Sequence, residues 1–148
     1  MKIKVITVWQ PWASLFPLGL KEIETRGWAT KYRGPMAIHA AKKIIPFEEL
    51  FDDLNFIQRA LIMDAICREY GDYDKMPTGA IIATGVLGDV QTTEVLRDKI
   101  RPVEMACGDY SDGRFGWMFK DVEKLAEPVY VKGQQGLWNW EGDLYGHR

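Results

Sequence analysis

The chain has little cysteine. Two residues, Cys67 and Cys107, occur in 148. They lie far apart and not in C-x-x-C spacing, which reads as two reduced thiols in a cytoplasmic protein rather than a disulfide framework or a redox motif. Histidine is as scarce: His39 and His147 are the only two. Neither has a cysteine or acid close by at ligand spacing, so no metal is expected, and neither stands in triad order with Ser14, Thr25 or Ser111. A phosphate-cradling G-x-x-x-x-G-K-[ST] loop and a G-x-G-x-x-G turn are both missing, which removes the common nucleotide-cofactor folds, and no cofactor is expected. There is no apolar run of the ~18 or more residues that would span a bilayer. The opening MKIKVITVWQPW lacks the small-residue cleavage site of a signal peptide. Excess positive charge is missing too: the net charge is −2, against a general binder of duplex DNA, whose affinity comes largely from neutralising phosphates.

The neutral average conceals a segregation. Between residues 21 and 43, Lys21, Arg26, Lys31, Arg33, Lys42 and Lys43 face only Glu22 and Glu24, a balance of +4. Between residues 46 and 75, eight acids face Arg59, Arg68 and Lys75, a balance of −5. A basic patch and an acidic back on one small domain suit a short or single-stranded nucleic acid. The length is right for one domain, residues 1–148.

Periodicity supplies the elements. Lys2–Val8 is rich in β-branched residues and reads as a strand. Pro11 suits the first position of a short helix carrying Trp12, Leu15 and Phe16, with Gly19 beyond it. LKEIETRGW has no clean period and reads as an irregular extended segment. Met36–Ala40 is almost wholly apolar, as central strands are. From Pro46 to Tyr70, residues 47, 50, 51, 54, 57, 61, 62, 65 and 66 keep helical spacing with acids opposite, as two helices or one bent near Asn55. Gly79–Val90 reads as a long strand with bends or bulges at Gly85 and Gly88. Residues 92–99 read as a helical turn and 107–113 as a loop. Phe115–Phe119, Val122–Leu125 and Pro128–Lys132 read as further strands, before an aromatic tail. Strands of uneven length with helices between them suggest an α+β domain on a closed or nearly closed barrel.

The densest stretch for chemistry is Trp9–Arg33. Lys21, Glu24 and Arg26 are either a base with its partner and an anion fork, or an ion-paired brace of the loop. The chain has six tryptophans: Trp9, Trp12, Trp28, Trp117, Trp138 and Trp140. About four are expected to be mainly structural, leaving one or two to stack on a base. Arg33-Gly34 and Gly113-Arg114 are corners where glycine lets an arginine be aimed, at an anion or at loop carbonyls.

Five stretches in order, WQPWASL with GLKEIETRGW, YRGPMAIHAAK, GAIIATGVLGDV, SDGRFGWMF and GQQGLWNW, resemble the motifs of the ASCH domain, the activating signal cointegrator 1 homology family. The resemblance runs from about Val8 to Trp140. It implies a PUA-like fold, a small mixed β-barrel with flanking helices around a cleft, here with a helical insert around residues 46–70 that is more like the cointegrator-type branch. It implies binding of RNA, single-stranded nucleic acid or a nucleotide in a cleft lined at Gln10, Pro11, Trp12, Lys21, Glu24 and Arg26. One branch hydrolyses N4-acetylcytidine with a lysine base and a threonine three residues on; Lys21 matches, but Glu24 stands at the threonine position and Thr25 is one place off. The branch's further glutamate would be Glu94 or Glu104. Other members are similar to ribonucleases, with the cleft lysine implicated. The candidate ligand contacts are then Gln10, Pro11, Trp12, Ser14, Lys21, Glu24, Arg26, Trp28, Arg33, Ser111, Arg114 and Trp117, with Lys21 and Glu24 catalytic if the protein is an enzyme. A third role, docking another protein on the acidic helical insert, would need an exposed apolar patch there.

Overall fold

The structure is a computed structural model and describes residues 1–50 and 52–145. Phe51, counted above in the helical spacing, and His147 lie outside the described residues. Six strands form one mixed sheet in the order β2-β5-β4-β3-β1-β6: β1 Lys2–Gln10, β2 Ile23–Arg26, β3 Gly34–Ile44, β4 Ala80–Thr92, β5 Phe115–Tyr130 and β6 Leu137–Glu141. β1 and β3 run parallel, and the remaining pairs are antiparallel.

The sheet curls. Its longest ladder, β4 against β5, shifts register between Thr84 and Val86 and between Leu87 and Asp89, at the two glycines expected to bend it. One apolar cluster therefore gathers Ile6 and Val8 of β1, Met36 and Ile38 of β3, Ile82 and Leu87 of β4, and Trp117 and Phe119 of β5. Among the described residues no ladder joins the edge strands β2 and β6. Strand β6 covers β1 only from Lys2 to Ile6, so the edge of β1 beyond Ile6 is left open toward β2. Across that opening the Arg26 guanidinium Nη2 donates to the Thr7 carbonyl at 2.5 Å.

Among the described residues four α-helices decorate the sheet: α1 Trp12–Leu15, α2 Phe56–Tyr70, α3 Thr93–Leu96 and α4 Pro102–Ala106. The helical insert divides at Asn55, which caps α2 reciprocally with Gln58: Gln58 N–H donates to Asn55 Oδ1 at 2.8 Å, and Asn55 N–H to Gln58 Oε1 at 3.0 Å. The first part is a 3-10 turn, Phe47–Leu50. Because the helix restarts at Asn55, the spacing carried over from Phe47 misplaces Ile57 and Leu61, which are exposed, while Ile62 and Ile66 pack with Leu15, Leu50 and Tyr73. Three further readings change. LKEIETRGW contains a regular strand, β2, because β5 supplies it a full ladder. The three strand pieces between Phe115 and Lys132 are one continuous strand. Helix α4, in a short stretch without helical periodicity, went unread.

Candidate functional site

The opening between β1 and β2 holds a hollow of about 270 Å³. Its walls come from Thr7, Val8 and Trp9 of β1, Trp12 of α1, Glu24, Thr25 and Arg26 of β2, and Arg114. Local sequence explains each wall. The Gln10 side chain ties α1 to the end of β1: its Oε1 accepts from Ser14 N–H at 3.0 Å, and its Nε2 donates to Ser14 Oγ and to the Pro77 carbonyl, both at 2.8 Å. That fixes the turn that presents Trp12. The two-residue alternation of β2 puts Glu24 and Arg26 on one face, half-buried, and Ile23 and Thr25 on the other, buried. Gly113, at φ +80°, turns the chain just before Arg114. Arg114 Nη2 donates to the Thr25 carbonyl at 3.3 Å and Nε to the Asp109 carbonyl at 3.1 Å, while Asp109 N–H donates to Thr25 Oγ1 at 3.1 Å. The loop between α4 and β5 is thereby clamped against β2.

Charge is arranged in two layers. At the wall, Glu24 Oε2 pairs with Arg26 Nη2 at 3.1 Å. Arg26 Nε is buried and has no hydrogen-bond partner among the described residues. Behind the wall lies Lys21, only 1% exposed. Its ammonium donates to the carbonyls of Ile23 at 2.5 Å and Cys107 at 2.9 Å. It stands 4.0 Å from Glu24 Oε1 and 3.8 Å from Glu104 Oε2. The other Glu104 oxygen accepts from Glu22 N–H at 2.6 Å. Burial pushes the Glu104 carboxyl above its ordinary range, partly opposed by Lys21. It also raises the Cys107 thiol to about 11.

The sequence candidates therefore separate. Trp12, Glu24, Arg26 and Arg114 line the hollow. Lys21 lies beneath Glu24 and out of the hollow. Gln10, Pro11 and Ser14 are buried and brace the β1–α1 junction. Trp117 is fully buried; its indole N–H donates to the Trp28 carbonyl at 3.1 Å, and the two rings meet edge to face at 4.8 Å. A ligand would reach Trp117 only if the core opened. Trp28 itself stands outside the hollow. Arg33 takes the loop-carbonyl alternative, donating to Thr30 and Tyr32 at 2.8 Å and pairing with Asp89 at 3.8 Å. Ser111 is exposed and hydrogen-bonded to the Asp109 carboxylate at 2.7 Å, in the loop that carries Arg114. Among residues not counted as ligand contacts, Thr7, Val8, Trp9 and Thr25 line the hollow. For Trp9 the alternation gave no signal, because it has the parity of the buried Ile3 and Val5. Of the two glutamates open for Lys21, Glu104 is the one beside it, while Glu94 accepts from Thr93 Oγ1–H and Gly113 N–H. No group of three or more His, Cys, Asp or Glu side chains among the described residues could hold a metal ion. No helix among them is long and apolar enough to cross a membrane.

The ASCH domain family model matches residues 6–137. The chain belongs to the ASCH domain family. It is 27% identical over 141 residues to human activating signal cointegrator 1 and 24% identical over 140 residues to the mouse protein. In both comparisons 95% of this chain is covered and 22% of the relative, so the chain spans about a fifth of the length of those proteins. The crystal structure of ASCH from Zymomonas mobilis superposes with a TM-score of 0.56 at 13% identity, covering 93% of this chain and 87% of that one. A point-mutant structure of the same protein gives 0.55 at 12% identity over 98% and 94%. These structures share the fold, an ASCH domain of the PUA-like class with mixed α and β elements.

Proposed function

We propose that this ASCH domain binds single-stranded nucleic acid, RNA above all, or a nucleotide, in the opening between β1 and β2. One observation carries the reading: Arg26 and Arg114 converge with Trp9 and Trp12 on a single hollow. Planar guanidinium groups suit phosphate oxygens and base edges, and indole faces suit bases of any sequence. Glu24 keeps Arg26 oriented and can accept from a base amino group. The free thiols Cys67 and Cys107 support a cytoplasmic setting, and the matched span supports one domain over residues 1–148.

The test is a titration of labelled single-stranded RNA, single-stranded DNA and mononucleotides at low salt, followed by fluorescence anisotropy. Binding that weakens with salt by a slope reflecting a few phosphates is expected. No binding by any of these ligands at low salt overturns the reading.

A hydrolytic reading is the alternative, with Lys21 as general base and Glu24 its partner, because Lys21 meets Glu24 and Glu104 within 4.0 Å. The burial of Lys21 and its two carbonyl acceptors favour binding. Turnover of RNA or of acetylated cytidine by the wild-type protein, lost in a folded Lys21 variant, would reverse that preference.

A further inference from the structure

We propose that the strand held in the β1–β2 opening continues over the outer face of β1 and β3 into a second hollow and on toward Tyr130, so that the ligand is a polynucleotide and not a free nucleotide. This rests on the reading that the opening takes a nucleotide.

Three hollows are joined by shared walls. Thr7 lines both the opening and a second hollow of about 310 Å³, whose other walls include His39, Lys42, Lys132 and Gln134. Lys42 and Lys132 also line a third hollow of about 540 Å³ that includes Tyr130, 71% exposed. Trp9 lines the first hollow: it is half exposed, and Lys43, next to Lys42 on β3, holds its ammonium 4.9 Å from the indole ring. The path thus runs past Arg114, Arg26, Lys42 and Lys132, with Lys43 beside it over Trp9 and Glu24 the one carboxylate among the described residues lining the three hollows.

The floor of the second hollow is built rather than incidental. Trp138 Nε1–H donates to Thr7 Oγ1 at 3.1 Å. The Thr7 hydroxyl lies 3.4 Å from His39 Nδ1, and His39 Nε2 lies 2.7 Å from the Val131 carbonyl. Those contacts fix the imidazole with its proton on Nε2, leaving Nδ1 to accept from Thr7. Gly133 makes this closeness possible, since a β-carbon there would fall 2.6 Å from His39 Cε1. The segment 132–135 therefore lies directly on the floor, with Lys132 and Gln134 exposed on either side. A mostly apolar bed with ammonium groups at its rim and an amide able to donate and accept suits one further base and its flanking phosphates. A cationic path with exposed aromatic rings at Trp9 and Tyr130 is how single strands are tracked without sequence readout.

The experiment is a length series of oligouridylates and oligothymidylates, from the mononucleotide upward, titrated against wild type and a Lys42→Ala/Lys132→Ala double variant. Both lysines are exposed, so the variant is expected to fold; circular dichroism and a melting curve check this, and Tyr130→Ala provides a second, uncharged probe. Affinity should rise with length and level off once the strand spans the hollows. The double variant should bind the longest strand about tenfold more weakly, lose about 0.7 from the salt slope per phosphate contact removed, and bind the mononucleotide unchanged. Stronger binding of uridylates than thymidylates would assign RNA. Affinity that does not grow beyond the mononucleotide, or a double variant indistinguishable from wild type on long strands, overturns the extension and leaves the opening as a nucleotide site. Failure of every ligand to bind overturns both.

Discussion

Lys21 and Arg26 carry the same charge, sit on the same arm of the chain and share Glu24 as a partner, but they occupy different physical worlds. Lys21 is 1% exposed and is held by two carbonyls and two carboxylates. The Arg26 side chain is 23% exposed and lines the hollow. A buried charge whose partners all come from the protein is part of the architecture; a partly exposed wall charge has room for a further partner. Here the buried layer fastens β2 to the segment following α4, and the wall layer faces the hollow.

The sharpest way to break this contrast is to remove Lys21. Lys21→Ala strands Glu104 in the interior, and losing one member of a buried pair costs about 3–5 kcal/mol. A large drop in melting temperature is expected, partly restored in Lys21→Met/Glu104→Gln, where both charges are gone. A Lys21→Ala protein as stable as wild type would mean the buried layer is not structural.

At the wall the balance should invert. Arg26→Ala and Arg114→Ala should each weaken RNA binding by about 1.5–3 kcal/mol, the worth of a hydrogen bond to a charged group, or roughly ten- to a hundredfold. Stability should fall much less than in Lys21→Ala, although Arg26 also spans the gap to Thr7. Anisotropy titrations beside melting curves separate the two effects. Trp9→Ala sharpens the picture further. Its ring is half exposed, so the fold should be untouched, while a stacked base would be lost at a cost of about 1–3 kcal/mol in binding.

The smallest expected effect concerns pH, and it runs in opposite directions at Glu104, in the buried layer, and at His39, on the floor of the second hollow. Burial raises the Glu104 carboxyl above 4.5. Just above that pH the folded protein retains a proton the unfolded chain has released, so this group lowers stability as pH rises through the window. Burial lowers His39 below 6.5. There the unfolded chain takes up a proton the folded one refuses, so this group lowers stability as pH falls below 6.5. Subtracting the stability–pH curve of Glu104→Gln, and separately that of His39→Gln, from the wild-type curve should give slopes of opposite sign.

Much of the framework was legible before any coordinates. Gly85 and Gly88 marked the bulges that curl β4, and Gly113 marked the turn before Arg114, because glycine placement reports backbone geometry directly. The cluster Lys21, Glu24 and Arg26 was visible as a density of charge among aromatics. Its division into layers was not, because burial depends on α4, whose Glu104 comes from a stretch with no helical period. Trp117 and Arg33 were counted as ligand contacts for a related reason: a tryptophan or arginine beside glycine looks alike in sequence whether it faces a hollow or closes one. The two-residue alternation of β2, which puts Glu24 and Arg26 on one face, became readable only once β5 was known to pair with it.

The most direct test is an NMR titration with a short single-stranded RNA, following the indole resonance of Trp9, the guanidinium Nε–H resonances of Arg26 and Arg114, and the backbone amides of β1 and β2. These resonances should shift together and saturably, with smaller changes around Lys21 and none on α2. Shifts confined to α2, or a bound state in which Arg26 and Arg114 do not move, would contradict the assignment of the β1–β2 opening as the ligand site.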